Sequence, residues 1–140
     1  RSEGFGTLAQ RGLDAAEDLP LAMVYAGFSF GVIPAQQLAQ TRPGARGALL
    51  FESCLPVSEF GEAWPARVPV QIHGMEDDTV FAHEGDLEAA RELVASTSHA
   101  ELFLYTGNRH LFADASLPSY DAQAAGLLTQ RAVQFLNELD

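Results

Sequence analysis

The pentapeptide Gly27-Phe28-Ser29-Phe30-Gly31 places a serine between two glycines. A serine hydroxyl becomes a nucleophile when a base takes its proton and an acid holds that base in the right tautomer. Histidine is the side chain best suited to be that base near neutral pH. Asn108-Arg109-His110-Leu111-Phe112 offers one, and Glu76-Asp77-Asp78 offers the acid. The pattern G-x-S-x-G fits a tight strand-to-helix turn that lifts the hydroxyl clear of a sheet. Its glycines are expected where side chains would clash. The backbone amide of Phe30, opening the helix, is then the expected donor to a developing oxyanion. The chemistry would be acyl transfer to Ser29, followed by release to water.

Three such groups converge only if the chain brings them to one place. Residues 21–26 and 47–51 are continuous apolar runs, and residues 68–73 and 101–105 read as two further strands. Helical periodicity covers residues 5–19, 30–41 and 119–139, and a further helix opens at Asp86 with Leu87, Ala90, Leu93 and Val94 as its apolar face, Asp86 and Ser119 being the expected caps. Strands alternating with helices predict an α/β fold with a parallel sheet covered on both faces. In such sheets ligands sit beyond the carboxyl ends of the strands. Ser29, the acidic run and His110 each follow a strand. Glu52 and Cys54 follow another, and Phe28, Trp64 and Phe112 lie on or near the same loops. These five are candidate pocket residues, with a plain strand end as the alternative for Glu52 and Cys54 and closure of the core for the three aromatics. The irregular stretch 54–67 is a candidate cap over the site.

The 140 residues carry 19 acidic and 8 basic side chains, a formal charge of −11. That surface disfavours nucleic acid and anionic lipid, and the basic residues form no run. No apolar stretch is long enough for a membrane span. With 47% hydrophobic residues the chain is not a disordered acidic tail. Cys54 is the lone cysteine, which permits a reducing compartment, and a cytoplasmic location is expected. His73 reads as a structural histidine, and His83 and His99 as exposed. No histidines stand at metal-ligand spacing, so neither metal nor cofactor is expected. A small ester-type molecule is the expected partner.

The order serine, acid, histidine is that of the α/β-hydrolases. From Tyr25 to Phe112 the chain resembles the dienelactone hydrolase family of that superfamily. Gly74, Asp77 and Val80 match the family's segment around its triad aspartate. Tyr105, His110 and Phe112 match the segment around its histidine. The resemblance implies Ser29 as nucleophile, Asp77 as acid and His110 as base. On the residues alone, Asp78 and Glu76 compete with Asp77. Two departures follow from the same comparison. Dienelactone hydrolases proper use a cysteine nucleophile, whereas this turn carries Ser29. They also place an arginine after the histidine to hold a substrate carboxylate, where this chain has Asp114. The resemblance therefore implies a neutral ester, lactone or thioester. The family also has several strands ahead of its nucleophile, and a second oxyanion amide in that leading region. Only 28 residues precede Ser29. Residues 1–140 are thus expected to be a single, partial α/β-hydrolase domain of about four strands. Arg1 is expected to be an interior position of a longer chain, or the front to come from a complementing N-terminal segment. A non-catalytic module of the same fold, binding a ligand over a silent triad, is the alternative from another class.

Overall fold

The four apolar runs form four parallel strands, β1 (Val24–Phe28), β2 (Gly47–Phe51), β3 (Val70–Met75) and β4 (Ala100–Tyr105). They lie side by side in that order in one sheet. The computed structural model describes residues 2–139, with side chains from residue 4. Arg1 lies outside the described residues. Helices α1 (Ser2–Ala16), α2 (Val32–Thr41), α3 (Thr79–His83), α4 (Asp86–Ser96) and α5 (Ala122–Glu138) complete the fold. Among the described residues, no helix is long and apolar enough to cross a membrane.

Every residue of β2 and β3 is buried, as expected of strands covered on both faces. Alternate side chains point to opposite faces of each strand. Tyr25, Ala48, Leu50, Val70 and Ile72 pack with α1, α2 and α4. Leu49, Phe51, Met75 and Tyr105 pack on the other face with Leu128 and Phe135 of α5. A row of rings at one register position crosses the sheet: Phe28 pairs with Phe51, Phe51 with His73, and His73 with Phe103. Their centroids stand 4.3, 5.3 and 5.2 Å apart. The guanidinium of Arg131, on α5, lies 4.4 Å over the Phe103 ring. Such cross-strand pairs fix register. At the β1 edge the row ends in the open, because Ala26 and Phe28 are exposed.

Several boundaries differ from the sequence expectation. Helix α1 stops at Ala16 rather than residue 19, and the Glu17 and Leu19 amides donate three residues back, to the Asp14 and Ala16 carbonyls, as a turn ahead of Pro20. The guanidinium of Arg42 donates to the carbonyls of Leu19 and Pro20 and holds that turn. Strand β1 therefore begins at Val24, where pairing with Gly47 starts. Strand β3 runs on through Gly74 and Met75, which still pair with β4. Asp86 is not the cap of α4. Gly85 holds that position, and the Asp86 carboxylate instead accepts from the Ser53 hydroxyl and the Cys54 amide. Nor does Ser119 cap α5. Asp121 does, by accepting from the Ala124 amide. Helix α3 is an element without a sequence expectation.

Candidate active site

Each candidate group stands at the carboxyl end of a strand. Ser29 follows β1, Glu52 follows β2, Asp78 follows β3 and His110 follows β4. The elbow at Ser29 is sharp, with φ of 53° in the left-handed region. Gly27 makes the turn possible, because a Cβ there would lie 2.3 Å from the Gly31 carbonyl oxygen. Gly31 itself has open space where a Cβ would stand. So only the first glycine is there to avoid a clash, contrary to the expectation for both.

The Ser29 hydroxyl lies 2.8 Å from Nε2 of His110. The other ring nitrogen, Nδ1, lies 2.6 Å from Oδ2 of Asp78. A carboxylate only accepts, so Nδ1 carries the proton and Nε2 is left to accept from the hydroxyl. Asp78 is fully buried, and its second oxygen accepts from the Val80 amide, capping α3. The carboxylate is thus held at both oxygens. The His110 side chain is 23% exposed, whereas that of Asp78 is sealed beneath it.

The acid expected from the family pattern, Asp77, is not the one beside His110. Its side chain and that of Glu76 are exposed, while the Asp77 amide bonds to the Gly107 carbonyl. The signal for Asp78 was local: an aspartate immediately before Thr79-Val80-Phe81 is a helix N-cap. A cap position turns the side chain back over the strand ends, which is where His110 stands.

Glu52 is fully buried with φ of 64°. Its Oε1 accepts from the Phe112 amide at 3.1 Å, and its Oε2 has no hydrogen-bond partner. Burial pushes the Glu52 carboxyl from 4.5 up to about 7, against the opposing pull of the Phe112 amide and of His110. One polar atom each of Glu52, Asp78 and His110 lies within 4.8 Å of the others, so the three form one cluster. Both ring nitrogens of His110 and both oxygens of Asp78 already have hydrogen-bond partners.

Of the other pocket candidates, Cys54, Trp64 and Phe112 are core residues. Trp64 Nε1 donates to the Val68 carbonyl. Burial pushes the Cys54 thiol up to about 12, and the residue borders a cavity of about 440 Å³ with Phe5, Leu55 and Asp86, away from Ser29. The stretch 54–67 is thereby anchored in the core by Leu55 and Trp64. Phe28 is exposed beside Ser29, and the Phe30 side chain projects into solvent. His73 is structural, as expected. Its Nε2 bonds to Oε1 of Gln71 and its Nδ1 to the Tyr105 hydroxyl. Asp114 is exposed and folded onto Ser116, and Arg109 donates to the Tyr120 carbonyl.

A family model described as the dienelactone hydrolase family matches residues 13–139. No curated protein matches the chain. Among solved structures, a dienelactone hydrolase-like promiscuous phosphotriesterase, P91, from metagenomic libraries is 22% identical over 94% of this chain, with a TM-score of 0.69. A thermophilic esterase from the planctomycete Thermogutta terrifontis is 19% identical over 96% of it, with a TM-score of 0.62. The match covers 59% of the first structure and 62% of the second, so this chain spans about three fifths of their length. At these identities the likeness establishes the fold.

Proposed function

The chain belongs to the dienelactone hydrolase family, and from that premise we propose that it carries the triad of a serine hydrolase acting on a small ester, lactone or thioester. The observation that carries this reading is the continuous hydrogen-bond chain from Ser29 through His110 to Asp78. Ser29 Oγ attacks the acyl carbon while its proton passes to His110 Nε2. Asp78 holds the tautomer and stabilises the imidazolium. The Phe30 amide, first beyond the nucleophile, donates to the oxyanion. His110 then returns the proton to the leaving oxygen or sulfur, and water, activated by the same ring, releases the acid.

A neutral substrate fits better than an anionic one. The chain carries −11 overall, and Asp114 stands where the family has an arginine. Nearby Arg109 is already tied to a carbonyl. We also propose that the intact protein covers the open edge of β1 with a complementing segment, and that it works in the cytoplasm. The test is Ser29→Ala in the intact protein. Hydrolysis of p-nitrophenyl esters should be lost with the fold kept, and a fluorophosphonate should label the native serine only. A native protein that resists the label and turns over no ester would support the silent binding module instead.

A further inference from the structure

Glu52 has no role in the serine–histidine–aspartate chain, yet four observations single it out. It is wholly buried. It is one of three non-glycine residues with positive φ among the described residues, the others being Ser29 and Leu111, next to His110. Strained backbone of this kind persists where the surroundings impose it, and it clusters at active sites. Its Oε1 accepts from the Phe112 amide, two residues past His110. A carboxylate oxygen of Glu52 also stands within 4.8 Å of ligand atoms of both Asp78 and His110, while Oε2 lacks any partner.

We propose that Glu52 is a second positioning carboxyl for His110, holding the turn after it through the Phe112 amide and tuning, by its charge, the pH at which the imidazole works. This rests on the reading of His110 as the base. Two consequences follow from the geometry. An ionised Glu52 close to the ring favours the imidazolium that forms as Ser29 loses its proton. A neutral Glu52 leaves that work to Asp78 alone. Because burial places its titration near neutrality, the site would pass between these two states over the working pH range. The titratable groups facing Glu52 are Asp78, ahead of α3, and His110, after β4. Asp86 on α4 is engaged by Ser53 and Cys54, and Arg131 on α5 lies over Phe103 and Tyr105.

The test is Glu52→Gln in the intact protein, followed through the ring ¹⁵N resonances of His110 across pH. The amide oxygen still accepts from Phe112, so packing is retained and only the charge is lost. The His110 midpoint should fall by roughly half a pH unit or more, and the acid limb of kcat/KM should move with it. A His110 midpoint unchanged to within about 0.1 unit would overturn the proposal. Should Glu52→Gln fail to fold, the native protein answers the question. The side-chain carboxyl ¹³C of Glu52 and the ring ¹⁵N of His110 should each inflect at the other's midpoint, and independent single-step curves would overturn the proposal. The outcomes separate from those of the hydrolase reading. Coupled titrations in a protein that hydrolyses no ester sink the activity alone. Uncoupled titrations in an active enzyme sink the role of Glu52 alone.

Discussion

Asp78 has both carboxylate oxygens engaged, one by the Val80 amide and one by the His110 ring, with no water access. Replacing it by asparagine would leave an amide where a pure acceptor is needed and would allow the wrong histidine tautomer. Asp78→Asn should lower kcat by about 10³–10⁴-fold. Asp77→Asn, at an exposed side chain, should change it by less than about 3-fold. Steady-state kinetics of the two variants, one residue apart, decide the assignment. The meeting of Ser29 with His110 was legible from their places after strands. The carboxylate that stands beside His110 was legible only to within one residue, because family spacing pointed to Asp77 while the cap geometry of a five-residue helix brings Asp78 to the ring. Glu52 was legible as a strand-end residue, but its burial was not. Nothing in a sequence marks a glutamate that packs inward with one oxygen unpartnered.

At the level of elements, the nucleophile turn depends on one glycine more than on two. Gly27→Ala would drive a Cβ into the Gly31 backbone and should cost about 1–3 kcal/mol of stability, with loss of esterase activity as the elbow shifts. Gly31→Ala meets open space at φ of −65° and should be neutral, or stabilising by roughly 0.5–1 kcal/mol. Denaturant melts of both variants test the asymmetry. Strand β2 was legible to the residue, since Gly47 to Phe51 is an apolar run bounded by polar neighbours. Strand β3 was cut short at its histidine, because Gly74 looks like a turn residue. It is instead a strand residue against which the Phe81 ring packs, leaving 2.6 Å to an added Cβ. Asp86 and Ser119 looked like caps from their spacing. Long-range bonding of Asp86 to the loop after β2, and the competing Asp121, decided otherwise.

For the whole molecule, two buried groups give stability opposing pH dependences. Burial drops the His73 imidazole from 6.5 to about 3. The unfolded chain takes up a proton that the folded one refuses, so this contribution is lost as pH falls from 6.5 towards 3. Glu52 runs the other way. The folded state keeps its proton up to about 7, the unfolded state only to 4.5, so rising pH removes stability across that window. The full Glu52 effect is about 3 kcal/mol. Between 4.5 and 6.5 the two slopes offset each other, giving a plateau that falls away on both sides. In Glu52→Gln the alkaline fall should vanish, so that urea midpoints rise up to about pH 6.5 and then stay level. The parallel sheet and its helices on both faces were legible from alternation alone. The lack of strands ahead of β1 was legible from the short lead before Ser29, whereas the ring row that ends there in Phe28 was not, because cross-strand partners are a property of the assembled sheet. The thiol of Cys54, sealed in the core with its amide tied to Asp86, makes the molecule its own clock. Alkylation by iodoacetamide can proceed only as often as the loop after β2 swings away from α4, so the modification rate reads the frequency of that local opening. Releasing the tether with Asp86→Ala, which removes the acceptor of both bonds, should speed labelling well ahead of any global unfolding.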